Sequence, residues 1–143
     1  PGRSSHLAAT ARDAVELPFL QKVCPKARVV ALGGSRATPE EVGALLERTW
    51  GGPETLIVIS SDLSHYHDYE TARRMDRATS DAIAALDATA IHYEQACGRN
   101  PILGLLRAAR RHGLTVEIAD LRNSGDTAGP RDHVVGYGAY LFQ

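Results

Sequence analysis

The chain has 143 residues, 43% hydrophobic and 23% charged, with a formal net charge of −1. It is long enough to bury one core, and too near neutrality to favour nucleic acid or an anionic membrane surface as a partner. No apolar run approaches the roughly 20 residues that span a bilayer, and no charged-then-apolar signal pattern opens the sequence.

Cys24 and Cys97 lie far apart without a repeated spacing, which predicts free thiols and a cytoplasmic setting. The sequence opens at Pro1 and its one methionine is Met75, so residues upstream are expected to be missing.

Residues 1–10 read as polar and loose. Leu17, Leu20 and Val23 recur at helical spacing over Val15–Val23, with Pro18 expected near the helix start. Arg28–Leu32 (RVVAL) reads as a strand ending in Gly33-Gly34. Thr38-Pro39-Glu40-Glu41 opens a helix with a cap, a proline at its first position and acids at the positive dipole end. That helix is expected to run to about Trp50, with Val42, Leu45, Leu46 and Thr49 on one face.

Thr55–Ser60 (TLIVIS), bounded by Gly51-Gly52-Pro53, predicts a buried strand covered on both faces. The next helix, about Tyr69 to Leu86, aligns Ala72, Met75, Ala82, Ile83 and Leu86 along one stripe. Glu70, Arg73, Arg74, Arg77 and Asp81 form its solvated side. Asp87–Asn100 reads as irregular or as a short helix. Pro101–His112 is helical and stopped by Gly113. Its terminal Arg107, Arg110, Arg111 and His112 are best explained by the helix dipole.

Val116–Leu121 reads as a strand, Asn123–Asp132 as a long loop, and His133–Phe142 as a glycine-bearing strand with close backbone approach. Alternating strands and helices predict an α/β fold with a central, mostly parallel or mixed sheet flanked by helices. No internal repeat or linker divides the chain, so a single domain over 1–143 is expected.

Chemistry is sought where strand 55–60 ends, because open parallel sheets bind ligands beyond the carboxyl ends of their strands. Asp62 and His65, three apart, can pair a carboxylate with one imidazole nitrogen and leave the other as acid or base. A bland Asx-turn at Asp62 and Ser64 accounts for the same spacing. His65-x-His67 with Asp68 offers a local metal clamp, and Asp68 as a helix cap is the plain alternative. Cys97 precedes a helix beside Arg99, a setting that favours a thiolate ligand or nucleophile, and a small buried cysteine is the competing account. His6, His92, His112 and His133 read as surface or packing residues.

Three blocks, ISSDLSHYHDYETARRMD (59–76), ACGRNPILGLLRAARRHG (96–113) and LRNSGDTAGPRDHVVGYGAYLF (121–142), together with LPFLQ at 17–21, resemble the Memo family. The likeness is greatest to the bacterial AmmeMemoRadiSam system protein B. It covers about Val15 to Gln143 and corresponds to about the C-terminal half of such a protein.

The resemblance implies a fold similar to class III extradiol dioxygenases, with Cys97 as a metal ligand and Asp62 and His65 in the family's SSD-x-x-H motif. His65 is then the acid/base, with Ser61, His67, Arg99, Asn100, Asn123 and Asp126 as pocket-lining candidates. Thiolate with imidazole suits iron(II) or copper.

The family's remaining ligand histidines lie in its N-terminal half. Where it has an E-H-S-[LI]-E stretch, this chain has residues including Ala11, Arg12, Asp13 and Ala14. An isolated chain of this length is therefore expected to expose apolar surface or form a homo-oligomer.

Two functions follow as expectations. One is a metal-dependent oxidoreductase of dioxygenase type. The other is a non-catalytic module binding a small molecule or peptide, with AMMECR-type and radical-SAM proteins as partners. A thiol hydrolase built on Cys97, His65 and Asp62 is a third arrangement the residue types allow.

Overall fold

The computed structural model describes residues 13–33 and 36–143, with the side chains of 13–15 outside the description. The loose stretch with His6, residues 11 and 12, and the second glycine of the expected Gly33-Gly34 strand end also lie outside it. The chain divides into two compact units, Pro1–Gly33 and Gly34–Gln143.

In the first unit, helix α1 (Asp13–Val23) begins earlier than its apolar spacing suggests, so Pro18 falls inside it rather than near its start. Residues Arg28–Leu32 form no strand. A β-branched run supplies a surface that fits a pleated sheet, but a strand exists only where a partner edge meets it.

The second unit starts with α2 (Pro39–Thr49), whose capping box is complete. Thr38 Oγ1 accepts from Glu41 N–H at 3.2 Å, and Glu41 Oε2 accepts from Thr38 N–H at 2.9 Å. Val42, Gly43 and Leu46 face inward, while Leu45, expected on that face, is exposed.

The helix packs on α4 (Arg99–His112) at a small-residue crossing. A Cβ on Gly104 would lie 2.6 Å from Val42 Cγ1, so only glycine lets the backbones come this close. The basic end of α4 is paired as well as placed by the dipole: Arg107 meets Glu40, and Arg111 and His112 meet Glu47. Trp50 stacks on His112 with ring centroids 3.9 Å apart.

Helix α3 (Tyr69–Ala84) is capped by Asp68, which accepts from Thr71 N–H at 3.0 Å. It lies against the sheet, and between it, α4 and the sheet sits a core of Ile83, Ile91, Ile102, Leu103 and Leu106. A second cluster, Val42, Leu46, Leu105 and Ala108, fills the α2–α4 seam. Gly113 ends α4 in the left-handed region (φ 67), and Leu114 N–H closes on Ala109 O at 2.9 Å, a Schellman ending.

The sheet has three strands in the order β1 (His65–His67), β3 (Val134–Phe142), β2 (Val116–Asn123). Both pairings are antiparallel, so the mostly parallel or mixed sheet is not what the described residues form. The reason lies in the expected strand 55–60. It is no strand of the described sheet, and it packs on one side only, where Ile57 and Ile59 meet the Val42, Leu46, Leu105 and Ala108 cluster. Leu56 and Val58 face outward, 73% and 53% exposed. Sheet formation begins instead at β1, which propensity did not indicate. No helix among the described residues is long and apolar enough to cross a membrane.

Candidate functional site

Segment 61–64, leading into β1, is held by three separate parts of the fold. Asp62 N–H points at Cys97 Sγ, 3.3 Å away. Leu63 N–H donates to Gly136 O on β3 at 2.9 Å, and Ser64 N–H donates to Asp76 Oδ1 on α3 at 2.9 Å. In return Cys97 N–H donates to Asp62 O at 3.3 Å and Gly136 N–H to Ser64 O at 2.9 Å. Ser61 closes the arrangement: its hydroxyl accepts from Gly98 N–H at 2.8 Å and donates to Asp62 O at 2.7 Å.

The consequence is a convergence of donor atoms. A carboxylate oxygen of Asp62, a ring nitrogen of His65 and the sulfur of Cys97 lie within 4.8 Å of one another. Cys97 is exposed, and the side chains of His65 and Asp62 are 31% and 49% exposed, so the group is open to solutes. His65 Nε2 stands 3.5 Å from Asp62 Oδ2, an ion-pair distance too long for a good hydrogen bond.

The expected clamp of His65, His67 and Asp68 does not assemble. Tyr66 has a left-handed backbone (φ 60), which breaks the two-residue alternation and leaves β1 irregularly registered on β3. His65 joins the donor group and His67 does not. Asp68 caps α3, and the hydrogen bonds from Thr71, side chain first, hold its carboxyl below the ordinary range.

The other pocket-lining candidates are spread through the fold. Arg99 Nε donates to Ile91 O at 2.8 Å, with its guanidinium 4.5 Å over Tyr93. Asn100 Nδ2 donates to Ala37 O at 2.9 Å. Asn123 is buried and accepts from Gly125 N–H at 2.9 Å. Asp126 accepts from Tyr69 O–H at 2.5 Å, which lowers the Asp126 pKa and raises that of Tyr69. A surface hollow of about 310 Å³, lined by Asn123, Asp120, Arg122 and Tyr137 among others, includes none of the three converging donors.

Asp76 was missed by sequence reasoning as a residue of this neighbourhood. It is 2% exposed, and its Oδ2 has no hydrogen-bond partner. Burial lifts its carboxyl above the ordinary range, against the opposing pull of Ser64 and of the His67 and His65 imidazoles. Its spacing carried the signal: Asp76 lies four residues after Ala72 and seven before Ile83, on the buried stripe of α3.

A sequence model described as Memo-like protein matches residues 14–141. The chain belongs to the Memo-like family. The likeness read from the three sequence blocks is thereby borne out, and a mixed α/β architecture is consistent with it.

Among relatives, a MEMO1 family protein of Methanosarcina acetivorans is 33% identical over 90% of this chain and 53% of its own length. One from Methanococcoides burtonii is 35% identical over 89% and 53%, and one from Aquifex aeolicus is 31% identical over 99% and 57%. This Memo-like chain thus spans about half the length of the curated relatives it matches.

Proposed function

We propose that this Memo-like chain contributes a thiolate ligand, Cys97, and an acid/base pair, His65 with Asp62, to a transition-metal site with extradiol-dioxygenase-like architecture and an oxidoreductase role. One observation carries the reading: Asp62, His65 and Cys97, from segments 35 residues apart, bring their donor atoms within 4.8 Å. A thiolate ligand with imidazoles suits iron or copper better than magnesium or calcium, so Cys97 fits the ion the family resemblance implies.

Cys97 would hold the metal, together with the histidines that the family resemblance places in the family's N-terminal half. When bound, such an ion supplies Lewis acidity and one-electron exchange. The chain's own residues do the rest. His65 accepts or releases a proton at its ring nitrogen, and the Asp62 carboxylate, 3.5 Å from Nε2, stabilises the imidazolium that forms. Asp62 N–H keeps the sulfur oriented.

A second reading, a module that recognises a peptide or partner without turnover, is favoured by Tyr66. Its ring is 74% exposed, beside His65 and on a left-handed backbone. Ligand-recognition sites often hold strained, presented residues.

One titration of full-length protein separates the two. With cobalt(II) as probe, the oxidoreductase reading expects a sulfur-to-metal absorption band that Cys97→Ala abolishes, with affinity down by about tenfold or more. Absence of binding to cobalt(II), iron(II) and copper(I) alike, or binding untouched by Cys97→Ala, overturns it. Capture of an AMMECR-type partner that survives Cys97→Ala then favours the binding module.

A further inference from the structure

We infer that Asp76 is the positioning residue for Asp62 and His65: from inside α3 it fixes the backbone that presents them, and Gly136 is glycine to leave it room. The inference rests on the reading of Asp62, His65 and Cys97 as a functional group.

A carboxyl group in the middle of a helix caps nothing, and the ion pairs formed by the described residues do not include Asp76. Burying it with one oxygen unpaired is unfavourable, and an apolar residue on the same stripe would avoid that penalty. What the carboxyl does instead is accept the N–H of Ser64, itself fully buried, at 2.9 Å.

Ser64 is the residue directly before His65 and two after Asp62. Of the three anchors on this segment, Cys97 and Gly136 hold Asp62 and Leu63, and Asp76 alone holds the N–H of Ser64. Without it that N–H is left buried and unsatisfied, and the segment shifts to find a partner. Displacements of about 1 Å in a supporting shell are enough to spoil a site.

Strand β3 is built around the same group. A Cβ on Gly136 would fall 2.0 Å from Asp76 Oδ2, while the backbone of Gly136 bonds Leu63 and Ser64 on either side. Helix, strand and loop meet at one carboxyl. His65 and His67 supply the nearby ionisable groups from β1.

The test compares Asp76→Ala and Asp76→Asn with wild type in the full-length protein, by amide hydrogen exchange and by cobalt(II) titration. In Asp76→Ala, exchange at Leu63 and Ser64 is expected to accelerate about tenfold or more, with Leu103 and Leu106 of α4 unchanged. Cobalt(II) affinity is expected to fall about 10- to 100-fold. Asp76→Asn, whose amide oxygen still accepts Ser64 N–H, is expected to restore both.

Acceleration spread equally over α4, an unchanged Ser64, or failure of the asparagine to rescue would each overturn the inference. Should the alanine variant not fold, Gly136→Ala is expected to give the same local exchange pattern by displacing the carboxyl, and an unaltered pattern counts against it. If wild type binds no cobalt(II), the metal reading falls and the exchange arm still decides the role of Asp76.

Discussion

At the scale of single residues, burial of Asp76 raises its pKa in the folded chain above the ordinary carboxylate value of 3.8. The folded state therefore holds this proton more tightly than the unfolded state does. Its contribution to stability is fully present below the ordinary value and is lost as pH rises through the raised one. Asp76→Asn is neutral throughout. Its urea midpoint, relative to wild type, is expected to change little below about pH 4 and to climb as pH increases. A midpoint difference that stays flat with pH would mean that Asp76 is not the group responsible. Asp68 and Asp126 act in the opposite direction. Hydrogen bonds from Thr71 and Tyr69 hold them low, so what they add is lost as pH falls through their folded values.

Among elements, the helices were largely legible because their ends carry local chemistry. The Thr38–Glu41 capping box, the Asp68 cap and the Gly113 stop are each made by residues within a few positions of the helix they bound. Thr38→Ala is expected to lower stability by about 1 kcal/mol, read from urea unfolding, because it orphans the N–H of Glu41. The other end of α3 was less legible. There Leu86, not a glycine, takes the left-handed position (φ 54), with Asp87 N–H bonded to Ala82 O at 2.8 Å. Leu86 packs against the core, and that burial offsets a conformation that composition would not predict. The strands were less legible still. Segment 55–60 has every local mark of a strand and joins no strand of the described sheet, whereas His65–His67 has few such marks and pairs with β3.

For the molecule as a whole, segment 55–60 turns Leu56 and Val58 outward from a chain about half the length of its curated relatives. An extended segment that turns large apolar side chains outward is a template for association. The isolated 143-residue chain is expected to show concentration-dependent mass in sedimentation equilibrium, and Val58→Lys to shift it toward monomer with an unchanged thermal midpoint. A wild-type chain that stays monomeric at all concentrations would show that this side is not sticky.

Local order alone determined the helices, their caps, the glycine stop and the family, because each depends on residues near one another in sequence and on motifs long enough to be distinctive. Asp62 and His65 were also within reach, being three residues apart. That Cys97 would join them could be argued only from resemblance, since nothing in the intervening residues specifies how the chain returns. The tertiary structure decided the antiparallel pairing, the separation of His67 from His65 and the burial of Asp76 against Gly136. Each of these depends on which distant surface arrives opposite a residue, and no one-dimensional pattern contains that.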